Sequence, residues 1–250
     1  MKKLPLILFS ALFFLTQSVQ AASFNDAQKE EIGTLVHDYI LEHPEIITQA
    51  VAALQEKEAQ AWAQKAKDNI KTNLTEFFDS NSPASDTKSP QVTVVEFFDY
   101  NCQHCRSMQK TLSDITSKDK AIKVVYKELP VLSEASVFAA KAALAAREQN
   151  KYVEFHDKLM SQTDMLSQEK VLALAKEIGL DLDKLNKDIA SDKISEELMN
   201  NRKIAMMIGI RGTPTFVIGR APATKEMPIE FIPGEMKSQD FIDKINSVKK

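Results

Sequence analysis

The sequence predicts an α/β fold that carries a helical insertion and a separate N-terminal helical arm. Three observations predict it. An apolar, β-rich run, Val92–Phe98, leads through a short turn into Cys102-Gln103-His104-Cys105 at the start of a helix. A helical block then intervenes before a second extended run that opens on Thr213-Pro214. Ahead of both lie two apolar stripes at helical spacing, separated by His43-Pro44. With 250 residues, 44% of them hydrophobic, the chain has room for one well-cored domain and an accessory element. A net charge of −3 and the lack of any basic stripe argue against a nucleic-acid partner.

Lys2 and Lys3 form a positive n-region, Leu4 to Leu15 an apolar h-region, and small residues follow around Val19–Ala22. Residues 1–21 are therefore expected to be a secretory signal peptide, cut after Ala21 or Ala22. The apolar run is short for a retained anchor, and no cysteine stands at the cut site to take a lipid. Export places the two later cysteines where disulfides persist.

Residues 22–72 read as the helical arm. Ser23-Phe24-Asn25-Asp26 reads as a helix cap, and Ile32, Leu35, Val36, Tyr39 and Ile40 form the first stripe. Pro44 ends it and suits the first position of the next helix. Ile46, Ile47, Ala50, Val51 and Leu54 continue, fading into Ala59, Ala61, Trp62, Ala66 and Ile70. A helix over 45–72 would be about 42 Å long. Two such stripes cannot make a core alone; they need each other and a second copy of the chain. A homodimer through residues 24–72 is expected, with Leu35, Val36, Tyr39, Ile40, Ile46, Ile47, Val51 and Leu54 at the contact. The alternative is a hairpin folded back on the catalytic domain. His37 and His43 read as surface or interface residues, Trp62 as a packing residue.

Leu74–Phe78 reads as a short first strand, with a last helical turn as the alternative. Residues 79–90 are polar and turn-forming, so 73–90 is taken as a linker before a domain at 91–250. The continuous apolar character of Val92–Phe98, which only Glu96 breaks, suits a central strand covered on both faces. Period two puts Glu96 on the face of Val94 and Phe98, beneath the cysteine helix, where burial would raise its pKa. Ile122–Pro130 is the next strand; Lys127 reads as a surface lysine, with an approach to Glu96 as the alternative. The insertion, about 133–207, opens at Ser133 and continues through Tyr152, Phe155, His156 and Leu159. Ser167 caps a helix that Gly179 ends, and 181–190 and 191–207 supply two more. His156 reads as a helix-surface or core residue. Pro214 belongs at a strand's start, and a cis bond is expected at Thr213–Pro214. That would turn the Thr213 backbone toward the cysteines, where an extended substrate can pair with it. Ile229–Ile232 is an edge strand and 239–248 the closing helix.

Two cysteines are too few for a disulfide framework, and their spacing lets them close a small ring with each other. Cys102 sits at the first turn of its helix. Unpaired N–H groups and the positive end of the dipole there favour a thiolate. Zinc would need two further ligands. There is no second cysteine pair, and His37, His43 and His156 are scattered singly. No metal and no cofactor is expected.

Glu96-Phe97-Phe98-Asp99-Tyr100-Asn101-Cys102-Gln103-His104-Cys105 resembles the active-site segment of the DsbA-like thiol-disulfide oxidoreductases of the bacterial periplasm. Gly212-Thr213-Pro214-Thr215-Phe216 resembles the loop that faces the cysteine pair in the thioredoxin fold. The resemblance covers about 90–250. It implies a thioredoxin-like fold with a helical insertion and a redox-active disulfide between Cys102 and Cys105. It also implies a thiolate-stabilising His104, Glu96 as a proton relay to Cys105, and substrate binding at Thr213 and Pro214. The middle dipeptide, Gln103-His104, differs from the Pro-His of the best-known oxidase. Threonine before the proline is more similar to isomerases and reductases. Tyr39–Ile47 resembles the N-terminal oligomerisation region of some members. The expected function is formation or isomerisation of disulfides in exported proteins of the periplasm. The partners are those proteins' thiols and disulfides and a membrane oxidase or reductase. The alternative is a redox-independent chaperone, or a carrier of copper or thiols, using the dimer cleft.

Overall fold

The structure is a computed structural model and describes residues 24–78 and 81–249. The leader expected at residues 1–21 lies outside the described residues. The chain divides into two compact units, one ending at Glu56 and the other beginning at Lys57. The division falls inside a helix, upstream of residue 72, where the sequence had placed the end of the arm.

The first unit holds α1 (Asp26–Glu42) and the start of α2 (Glu45–Thr72). Asn25 and Gln28 close a capping box: each side chain accepts the other's backbone N–H. Pro44 interrupts the helix where its missing N–H is least costly. No residue of α1 is buried. Leu35, Val36, Tyr39, Ile47, Val51 and Leu54 each leave 48–68% of their surface in solvent.

The second unit is built on a sheet of order β2-β1-β3-β4. β1 (Val92–Phe98) pairs in parallel with β2 (Ile122–Glu128) and antiparallel with β3 (Thr215–Arg220), which pairs antiparallel with β4 (Ile229–Pro233). All seven residues of β1 are buried, as its apolar run requires of a strand covered twice. Val94, Phe98, Val124, Phe216 and Ile218 face one core. It is closed by α4 (Gln103–Lys118), by the insertion and by α10 (Ser238–Lys249). The insertion comprises α5 (Glu134–Arg147), α6 (Tyr152–Met160), α7 (Gln168–Glu177), α8 (Leu182–Ile189) and α9 (Asp192–Met207). Ser133, Ser167 and Asp181 cap three of these helices with side-chain bonds, and Gly179 ends α7 at φ +73°.

Val95, Phe97, Val125, Val217 and Phe231 face the second core, covered by Ala66 and Ile70 of α2 and by Ile204 and Ala205 of α9. Trp62 of α2 donates to the Gly209 carbonyl at 2.9 Å and lies edge-on to Phe231, so it packs as expected.

Leu74–Phe78 is helical, α3, and corrects the expected short strand. Adjacent strand residues point to opposite faces, whereas Phe77 and Phe78 are both buried in the second core. The polar loop after it is tied to the outer edge of β2. Ser85 N–H donates to the Val124 carbonyl and Tyr126 N–H to that of Pro83, both at 2.8 Å. An otherwise open edge is thereby covered.

Gly219 on β3 is set by close approach. A Cβ there would lie 2.7 Å from both Met227 Cε and Phe78 Cζ. Gly219→Ala is expected to lower stability by about 1–3 kcal/mol in urea denaturation, through overpacking against the Phe78 ring.

Candidate active site

The turn after β1 is held by its own polar side chains. The Asp99 carboxylate accepts the Asn101 N–H on one oxygen and those of Val131 and Leu132 on the other, at 2.8–3.0 Å. Cys102 N–H donates to the Asp99 carbonyl at 3.0 Å. The Asn101 amide accepts from Leu166 N–H at 2.7 Å and from Arg106 Nη2 at 3.1 Å, and donates to Ser136. Arg106 Nε donates to the Tyr100 carbonyl. The strand end, the β2–α5 connection and the loop before α7 are thus fastened to one turn. Asp99, Asn101 and Arg106 had no assigned role in the sequence; adjacency to the cysteines was their one signal, because the distant loops they hold lie 32–65 positions away.

That turn delivers Cys102 to the N-cap of α4, with extended dihedrals of φ −84° and ψ 117°. Both cysteines are free thiols. Cys102 keeps 7% of its surface in solvent and Cys105 none. The Cys102 pKa is pulled down to about 5, first by a hydrogen bond from the Cys105 thiol. Burial works against this, and the Thr213 side chain and the N–H groups of Cys105 and His104 add to it. As a thiol, Cys102 donates to the Thr213 carbonyl at 3.3 Å. That contact favours the protonated form, so the acidity rests on the other donors. Cys105 is pushed far up, chiefly by burial, then by its bond to Cys102 and the charge of Glu96. One sulfur is a ready anion facing solvent; the other is a sealed proton holder.

Glu96 lies beneath them, fully buried, and neither carboxyl oxygen has a hydrogen-bond partner. Burial, then the nearby Cys102 charge, raises its pKa to about 8. Lys127 is neither on the surface nor near Glu96. It pairs in register with Phe97 while Glu96 pairs with Tyr126, so its side chain leaves the opposite face.

Thr213–Pro214 is cis, as expected. Pro214 accepts the Gly234 N–H on its carbonyl at 2.8 Å, joining its loop to the one after β4. Thr213, His104, Glu235, Met236 and Lys237 line a groove of about 490 Å³ beside Cys102. Glu235 bridges His104 Nδ1 at 2.7 Å and the Ser107 hydroxyl. This bond, before the charge of Cys102, raises the His104 pKa. Glu235, 131 positions from His104, gave no signal in the sequence. His156 is a buried core residue whose Nδ1 meets the Tyr100 hydroxyl at 3.1 Å. Tyr100 and Tyr152 both donate to Glu128 Oε1. Among the described residues no cluster of three or more His, Cys, Asp or Glu could hold a metal ion.

A strand, a C-x-x-C helix cap and a cis-proline loop meeting at one end of a sheet define a thioredoxin-fold protein with a redox-type thiol pair. The chain belongs to the DSBA-like thioredoxin domain family, which residues 93–245 match. Residues 28–61 match the copper resistance protein ScsC N-terminal domain. A thioredoxin-like oxidoreductase from Silicibacter pomeroyi is 34% identical at a TM-score of 0.63, over 69% of this chain and 95% of that one. Proteus mirabilis ScsC in a transitional conformation is 25% identical at a TM-score of 0.62, over 92% of this chain and 99% of that one. The sodium–proton antiporter NhaA 3 of Salinispora tropica is 30% identical over 129 residues, 51% of this chain. The match covers 20% of that antiporter.

In the reduced protein, alkylation is expected to label Cys102 with a midpoint near pH 5 and to spare Cys105 through pH 9. Mass spectrometry of the labelled peptide checks both. Glu96 is neutral in the fold up to about pH 8 but ionises near 4.5 when unfolded. Its contribution is complete below pH 4.5 and lost as pH rises through 8. Against Glu96→Gln in the same redox state, wild type should therefore lose on the order of a few kcal/mol of stability across that window.

Proposed function

We propose that this oxidoreductase forms or isomerises disulfides in exported proteins through Cys102 and Cys105. The observation that carries the reading is the contrast between an acidic, solvent-touching Cys102 and a sealed Cys105 above an unpaired buried carboxyl. In the oxidised form, a substrate thiolate attacks Cys102 Sγ and the Cys102–Cys105 bond breaks. Cys105 leaves and takes a proton from Glu96, which is neutral at pH 7. A second substrate thiolate then attacks the substrate sulfur of the mixed disulfide and expels Cys102 as a stable thiolate. The substrate ends oxidised by two electrons and the pair reduced; a membrane redox partner restores it. In the reduced form, the Cys102 thiolate attacks a wrong substrate disulfide and opens it to rearrangement, and Cys105 provides escape. Thr213 and Pro214 seat the extended substrate along the groove, and His104 supports the thiolate.

The setting we infer is the periplasm, reached through the leader read at residues 1–21. We further infer self-association through the arm, with a dimer the smallest assembly. Its support is the exposed apolar stripe of Leu35, Val36, Tyr39, Ile47, Val51 and Leu54. Two sites facing one cleft suit bulky misfolded clients. A second reading, a copper or thiol carrier, is favoured by the likeness of residues 28–61 to the copper resistance protein's N-terminal domain.

Cys102→Ser is expected to abolish oxidation and reshuffling of a scrambled substrate, and Cys105→Ser to accumulate a mixed disulfide at Cys102. Glu96→Gln should slow release of Cys105 by about 10²-fold at pH 7. Full activity in the double serine variant would overturn the reading in favour of redox-independent binding. Deleting residues 24–56 should leave a monomer by light scattering that still oxidises thiols but reshuffles poorly.

A further inference from the structure

The face of the sheet opposite Glu96 and Cys105 carries a lysine with no hydrogen-bond or ion-pair partner among the described residues. Lys127 is 2% exposed, between the buried positions Val125 and Leu129. Its ammonium makes no hydrogen bond or ion pair among the described residues, and it lines an open cleft of about 670 Å³. That volume lies within the usual range for small-molecule sites.

The cleft is polar. Its other cations are already engaged. Arg147 meets the Glu197 carboxylate with two bonds, at 3.0 and 2.6 Å, and Lys193 meets Glu148 at 2.7 Å. Glu76 and Glu197 pull on the Lys127 charge through space without reaching ion-pair distance. Burial outweighs them and draws its pKa down to about 8. The Lys127 stem is packed in the core while its ammonium opens on the cleft, and holding a charge there is costly because it is largely desolvated. Methionine would fill this β2 position without that cost, so packing does not account for a lysine. Among the described residues, no acceptor of the cleft lies within hydrogen-bond or ion-pair distance of Lys127, Glu76 and Glu197 included. Asn200 also lines the cleft and brings a side-chain amide.

We propose that this cleft binds a small oxyanion, a phosphate or carboxylate group on a metabolite-sized molecule, with Lys127 as its anchoring cation. The site is independent of the thiol pair, which lies across the sheet.

Amine acylation of the full chain, read at Lys127 by mass spectrometry, tests it. Inorganic phosphate and citrate are the two test anions, with chloride at matched ionic strength as the reference. Lys203, exposed on α9 and outside the cleft, is the internal control. Protection should saturate, slowing Lys127 labelling about tenfold when the anion stands at ten times its dissociation constant, with Lys203 unchanged. Protection by phosphate alone assigns a phosphate ligand, and by citrate alone a carboxylate. No protection by either, or equal protection of Lys203, overturns the proposal. In a second measurement, the anion should raise the melting temperature of wild type and not that of Lys127→Met. Thiol–disulfide exchange should be the same in both proteins. An equal rise in both also overturns it. Should the variant not fold, the labelling on wild type decides.

Discussion

The structure depends on the unequal solvation of two sulfur atoms one helical turn apart. Cys102 stands at an N-cap, where backbone N–H groups without partners welcome an anion. Cys105 is buried on the first turn of the same helix, where a backbone hydrogen bond at Asp99 is outweighed by the desolvation of an anion. The hydrogen bond between them deepens the contrast, since each proton held by Cys105 stabilises the charge on Cys102. Covering β1 on both faces is what makes this possible. It removes water from Cys105 and from Glu96 with the same layer of side chains.

Burial of this kind is useful only if the turn holds still. Asp99 and Asn101 provide that. Each uses a short side chain to satisfy backbone N–H groups from a distant loop, so the turn is braced against the insertion and not merely against itself. The insertion thus serves the site as well as the core: Leu166 and Ser136 belong to it, and Arg106 reaches the Thr163 carbonyl. Across the groove, Glu235 joins α4 to the loop after β4, and Pro214 joins that loop to β3.

The strands were legible because their residues are mostly apolar or β-branched, and β1 and the start of β2 fall where the runs of Val92–Phe98 and Ile122–Pro130 put them. The 28-residue helix α2 was legible from its stripe and from Pro44. Leu74–Phe78 misled because five residues are too few to tell period two from period 3.6. Phe77 and Phe78 became helical through what they pack against. Lys127 misled for a related reason. A lysine in a strand is ordinarily a surface residue, and only the cover supplied by α3 and α9 buries it.

Chain order alone determined the sulfur pair, the carboxyl two pleats before the strand's end, and the proline that opens β3. These are local patterns whose meaning is carried by neighbours in sequence. Tertiary structure alone buried Lys127; it also made the braces Asp99 to Leu132 and Asn101 to Leu166 and the Glu235 bridge. Each joins residues dozens of positions apart. A polar side chain shows no periodicity that announces its partner, and burial, which gives each such contact its weight, exists only once the layers have closed.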